Sequence, residues 1–266
     1  MQVGFPNLNI FFEFDNIAFN IFGLPIYWYG LLFVLAYLIS LVLIKKNDGI
    51  YNIKAEDVLL TSTVAILFGI VGARIYYVLF NLEYYLSNSS AIFDIRSGGL
   101  AIYGGIIFGF LGVFIMSKIL KFNLLDMLDY IVPYVAISQC IGRIGNFINV
   151  EAYGYQTDIF WKMRIFTEEG FFDVHPTFIY EMIITLSIFV FLYIKRNKRS
   201  FKGQPLLTYL TIYSLGRFIV EGFRADSLML GTCKVSQVLS LLIFLVCIFV
   251  WIYKLGNNET KDVREN

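Results

Sequence analysis

The sequence predicts an all-α integral membrane protein with seven transmembrane helices, its N-terminus outside and its C-terminus cytoplasmic. Three observations carry this expectation. Of 266 residues, 58% are hydrophobic and only 15% charged, whereas soluble domains run at about 25% charged and under half apolar. Seven apolar runs approach or exceed the ~20 residues that a helix needs to cross a bilayer. The lysines and arginines concentrate on alternate connectors, as the positive-inside rule requires.

The first run is the clearest. No charge occurs between Asp15 and Lys45, so a span is placed at 26–44, with Pro25 marking its start and Lys45-Lys46 its end. No Lys or Arg precedes Lys45, and a secretory signal peptide would begin with a positive segment. Further spans follow at 58–80, 98–117, 125–148, 176–194, 205–223 and 235–253. These runs are too long for the strands of an outer-membrane barrel and lack their alternation. Segments near 1–25, 81–97 and 150–175 read as ordered extracytoplasmic insertions in a single membrane domain, 1–266. With the N-terminus outside, the cytoplasmic segments hold Lys45, Lys46, Lys54, Lys118, Lys121, Lys195, Arg196, Lys198, Arg199, Lys202, Lys254, Lys261 and Arg264, most of the 21 cations.

Several chemistries are excluded early. A net charge of +1 gives no electrostatic footprint for nucleic acid. Cys140, Cys233 and Cys247 are scattered and odd in number, so they form no disulfide framework or metal-ligand spacing. With His175 the only histidine, no metal site is indicated and no cofactor is called for.

The charges inside the spans carry the functional signal. Arg74, Arg143, Glu181, Arg217 and Glu221 all fall in the outer halves of their helices, where an ionised group costs at least about 2.5–3.5 kcal/mol. Five such groups at similar depth imply a shared polar cavity opening outward; the plainer alternative is structural ion pairing, Arg217 with Glu181 for instance.

Four segments define the candidate site. In GRIGNFINVEAYG, Gly142 to Gly154, Arg143 and Asn146 share a helix face, and the guanidinium fork matches a phosphate; small-residue packing would explain the glycines equally well. In GRFIVEGFRAD, Gly216 to Asp226, Arg217, Glu221 and Arg224 form one charged stripe, read either as part of the site or as mere pairing of a Glu with an Arg four residues away. In RSGGLAIYGG, Arg96 to Gly105, paired glycines flank Tyr103, either for tight packing or as a substrate-facing turn. In HPTFIYE, His175 to Glu181, Pro176 suits a first helical turn and His175 ends a loop, while Glu181 lies deeper.

In this order along the chain, and with YWYGLLF (Tyr27 to Phe33) and GARIYYVLF (Gly72 to Phe80), the segments resemble the prolipoprotein diacylglyceryl transferase family from about residue 26 to 253. The resemblance implies a transferase that moves the diacylglyceryl group of phosphatidylglycerol onto the lipobox cysteine thiol of a prolipoprotein. Glycerol 1-phosphate would be released at the outer leaflet of the bacterial cytoplasmic membrane. Motif matches carry over Tyr29, Gly98, Gly99, Gly104, Arg143, Asn146, Glu151, Gly154, Arg217, Glu221 and Arg224. Arg143 and Arg217 are expected to stabilise the departing phosphate, Asn146 and Tyr29 to orient the headgroup, and Glu181 and Glu221 to position the arginines.

One position departs from the family pattern. Tyr103 stands where the family often shows a histidine, the usual candidate base for the thiol. A free tyrosine titrates at about 10 and a thiol at about 8.5. Either another group takes the proton, or the cationic field of Arg143 and Arg217 lowers the thiol pKa. Two other classes fit less well. An anion transporter usually shows repeat symmetry and midplane broken helices, and an aspartyl peptidase needs facing aspartates, whereas Asp126 and Asp129 lie at the inner end of the fourth span.

Overall fold

The computed structural model describes residues 2–95 and 98–256. The chain divides into two compact units, Ile44–Ile131 and the combination of Met1–Leu43 with Val132–Asn266. Helices dominate both, and each expected span has a helix near its expected bounds: α1 Trp28–Lys45, α2 Ala55–Phe80, a short α3 Leu82–Ser87 outside the spans, α4 Ile102–Ile119, α5 Leu124–Ile148, α6 Thr177–Ile194, α7 Gln204–Phe223 and α8 Val235–Gly256. Among the described residues, six of these are long and apolar enough to cross a membrane. The helix at the sixth expected span, α7, is not among them. Its 20 residues include Thr208, Thr211, Ser214, Arg217 and Glu221, so the residues that make it chemically interesting also lower its apolarity.

In the unit Ile44–Ile131, α2 and α4 pack through glycines. A Cβ on Gly104 would meet the Gly72 carbonyl oxygen at 2.4 Å, and one on Gly112 would meet Ala65 Cα at 3.1 Å. Small residues let backbones approach closely where lipid supplies no hydrophobic drive between helices. Asn123 caps α5, its Oδ1 accepting from Leu125 N at 3.0 Å, as short polar N-caps do.

The other unit adds a β component that the bundle expectation leaves out. Strands β1 Gln2–Phe5, β2 Ile10–Glu13, β5 Met163–Thr167 and β6 Gly170–Val174 form one antiparallel sheet in the order β2-β1-β5-β6. Two hairpins, β3 Ile17–Ile21 with β4 Leu24–Tyr27 and β7 Met229–Leu230 with β8 Cys233–Lys234, form separate two-stranded sheets. The four-stranded sheet pairs Val3 with Ile165, residues far apart in the chain that no local periodicity connects. Its core of Val3, Met163, Ile165, Val174 and Phe178 meets the end of α5 through Phe147, whose ring lies 5.4 Å from Phe12, 5.0 Å from Phe14 and 5.1 Å from Phe178. The sheet therefore braces the turn of α5 that carries Arg143 and Asn146. Arg164 grips Asp173 across β5 and β6 at 2.7 and 2.9 Å. That pairing, against the opposing effect of burial, holds the Asp173 carboxyl down at about 2.

Candidate active site: three arginines on a buried glutamate

Glu181 is the centre of the site. It sits in the second turn of α6 with its side chain 3% exposed, and an ionised carboxylate so buried requires cationic partners. Three arginines supply them. Arg143, near the end of α5, pairs through Nη2 with Glu181 Oε2. Arg217 on α7 donates Nη1 to Glu181 Oε1, and Arg224, just past α7, brings Nη1 to 3.5 Å from that same oxygen. Arg217 turns its second nitrogen, Nη2, toward Glu221 Oε2 at 2.6 Å, one helical turn on. That oxygen accepts no aligned hydrogen bond, so charge rather than hydrogen-bond geometry holds it. The ion pairing anticipated between Arg217 and Glu181 is thus present, and it links α5, α6 and α7.

A polar chain continues from Arg143. Its Nη1 donates to Asn146 Oδ1 at 3.1 Å, and Asn146 Nδ2 donates to Glu151 Oε1 at 2.8 Å. Glu151 is held on a tight turn in which Glu151 N donates to Asn146 O at 3.0 Å. Its neighbours Val150 and Ala152 both take positive φ, 52° and 56°. A β-branched residue in that region is rare, and such conformations concentrate where surrounding structure over-determines a functional turn. Gly145 is required by contact: a Cβ there would sit 2.5 Å from the ring of Tyr29. The ring of Tyr29 is thereby seated on the backbone between Arg143 and Asn146.

Gly154 and Arg224 face each other in an antiparallel bridge. Gly154 N donates to His175 O and Tyr155 N to Phe223 O, both at 2.8 Å. A Cβ on Gly154 would meet Phe223 O at 2.6 Å, so this glycine permits the close approach that places Arg224. Burial holds the His175 imidazole below its ordinary pKa, and its Nδ1 lies 3.2 Å from the Tyr180 hydroxyl.

Nine of the sequence-predicted residues thus belong to one unit: Tyr29, Arg143, Asn146, Glu151, Gly154, Glu181, Arg217, Glu221 and Arg224. The other four, Gly98, Gly99, Tyr103 and Gly104, belong to the unit Ile44–Ile131. There Gly98 and Gly99 take φ of 95° and 73°, conformations that suit glycine, and their carbonyls accept from Arg74 Nη1 at 2.8 and 2.9 Å. Arg74 also donates to the carbonyls of Ala91, Ile92 and Asp94. Its guanidinium is accordingly committed to five backbone carbonyls, those of Ala91, Ile92, Asp94, Gly98 and Gly99. Tyr103 lies in the first turn of α4, 36% exposed.

Sequence reasoning missed Asp226. Asp226 takes Arg224 in a two-pronged contact, with Nε to Oδ1 at 2.9 Å and Nη2 to Oδ2 at 2.8 Å. Burial raises the Asp226 carboxyl, but Arg224 outweighs it and holds the group below the usual carboxylate range.

What this arrangement offers is a set of guanidinium forks on one anchored carboxylate, suited to an anion of phosphate geometry. Comparison with known proteins agrees. Residues 16–253 match the family model described as prolipoprotein diacylglyceryl transferase. The phosphatidylglycerol–prolipoprotein diacylglyceryl transferase of Clostridioides difficile is 42% identical over 251 residues, covering 94% of this chain and 100% of the relative. The protein of that name from Finegoldia magna is 42% identical over 90% of this chain and 95% of its own length. That from Fervidobacterium nodosum is 40% identical over 92% and 86%. The chain belongs to the prolipoprotein diacylglyceryl transferase family.

Proposed function

We propose that this protein transfers the diacylglyceryl group of phosphatidylglycerol to the lipobox cysteine thiol of prolipoproteins and releases glycerol 1-phosphate. The observation that carries the reading is the convergence of Arg143, Arg217 and Arg224 on Glu181. In the reaction the thiolate sulfur attacks the glycerol carbon that bears the phosphate. A carbon–sulfur bond forms as the carbon–oxygen bond breaks, and the electron pair leaves on the phosphate. The principal demand is stabilisation of that charge by preorganised donors in a site of low dielectric. Arg143 and Arg217 meet it, with Glu181 and Glu221 fixing their forks and Asn146 and Tyr29 bordering the headgroup. A guanidinium edge turned directly toward the thiol would favour the thiolate locally, although Glu181, Glu221 and Asp226 balance the charge of the three arginines, so the reading does not depend on Tyr103 as a base.

The same proposal includes seven spans, counting α7, with the N-terminus outside, the C-terminus cytoplasmic and the active site toward the outer leaflet of the bacterial cytoplasmic membrane. The distribution of lysine and arginine supports that orientation. Incubating the protein with phosphatidylglycerol and a lipobox peptide, then weighing the peptide, tests the activity. A diacylglyceryl adduct on the cysteine is expected; a cleaved or unmodified peptide would refute the transfer.

A further inference from the structure

We propose that Lys234 is a positioning residue for the arginine cluster: its ammonium clasps the end of α7 and thereby fixes Arg224 against Glu181. This rests on the reading of the cluster as an anionic-headgroup site. The last turn of a helix leaves carbonyls without intrahelical partners and carries partial negative charge. Lys234 Nζ donates to Glu221 O at 2.8 Å, to Gly222 O at 3.4 Å and to Arg224 O at 2.7 Å. The three donors of an ammonium thus match three carbonyls, and the last belongs to the arginine itself. Nζ also lies 4.8 Å from the centre of the Tyr155 ring, the residue that follows Gly154.

The connectivity explains why a lysine is needed from this direction. Lys234 closes the β7–β8 hairpin and immediately precedes α8, so its side chain ties the start of α8 to the end of α7. Gln237, within the first turn of α8, extends the seam by donating Nε2 to Phe218 O at 3.2 Å. On the other side, the backbone of Arg224 is bridged to Gly154. Arg224 is thus gripped through its backbone from two elements, and its guanidinium is presented to Glu181 and Asp226. The carbonyls that Lys234 caps include that of Arg224, the C-cap residue of α7, so the same contact that closes the helix also fixes the backbone from which the guanidinium projects.

Two variants of the full-length protein in membranes test this. Lys234→Met keeps the apolar stem and removes the donors; Lys234→Arg restores a cation with several donors. Losing a charge-assisted hydrogen bond should raise KM for phosphatidylglycerol in mixed micelles about tenfold, with kcat within about twofold. Amide hydrogen exchange over residues 221–226 should accelerate in Lys234→Met, and Lys234→Arg should recover most of both effects. Unchanged KM and unchanged exchange in Lys234→Met would overturn the proposal. So would failure of both variants to accumulate, because that assigns Lys234 to folding of the hairpin rather than to Arg224. A wild-type protein that modifies no lipobox peptide would refute the transferase reading, whereas the exchange measurement still reports on the clasp.

Discussion

Replacing Arg217 with lysine separates the geometry of the cluster from its charge. Arg217 uses two nitrogens at once, Nη1 on Glu181 and Nη2 on Glu221 at 2.6 Å. Its side chain is 17% exposed, enough for one edge to meet an incoming headgroup. Lysine conserves the charge but is a compact point cation without the planar fork. It can satisfy one carboxylate or the phosphate, not the constellation. The loss of one hydrogen bond to a charged group is about 1.5–3 kcal/mol, or roughly 12- to 160-fold in rate if the bond strengthens as the phosphate departs. Arg217→Lys should therefore lose most transfer activity while still accumulating in the membrane, because charge balance with Glu181 and Glu221 is retained. The assay is the mass of a lipobox peptide after incubation with phosphatidylglycerol, at matched amounts of membrane protein. Turnover within twofold of wild type would refute the phosphate-clamp assignment.

Four further outcomes are expected. Tyr103→Phe should retain activity within about two- to twelve-fold, the range for a neutral hydrogen bond of about 0.5–1.5 kcal/mol, and Tyr103→His should be tolerated. A folded, lipid-binding Tyr103→Phe protein with no transfer would instead make the hydroxyl the base. A cysteine probe at Asn88 should label from outside intact cells and one at Asn197 should not; the reverse pattern inverts the orientation. Gly154→Ala places a Cβ 2.6 Å from Phe223 O and 2.8 Å from His175 Cβ, and overpacking of this kind costs about 1–3 kcal/mol. A fall in thermal midpoint is therefore expected, and an unchanged one would show that the Arg224 bridge is loose. Asp173, held at about 2 chiefly by Arg164, titrates below its ordinary value, so its stabilising contribution is present above about pH 4 and is lost as pH falls toward 2. Amide protection in β5 and β6 should fall over that window and Asp173→Asn should flatten the dependence; identical profiles would refute the pairing.

Amino-acid order alone determined the helices and singled out most charged residues of the candidate site. Lipid excludes unpaired backbone polar groups, so spans must be continuous apolar runs, and their bounds could be read to within a few residues at α1, α5 and α6. An arginine or glutamate inside such a run is conspicuous because of its cost there, which is why Arg143, Glu181, Arg217 and Glu221 were legible. Only the tertiary structure decided who partners whom. Arg74 looked equivalent to Arg143 in depth and type, yet its donors go to five backbone carbonyls of its own unit. Arg143 and Arg217 instead share Glu181, and Asp226 closes on Arg224. The sheet shows the same division: β1 pairs with β5 across most of the preceding chain, and neither strand is long enough to announce itself. Periodicity and solvation cost are local properties that composition records. Pairing is set by which surfaces meet when distant segments pack, and no stretch of sequence contains that information by itself.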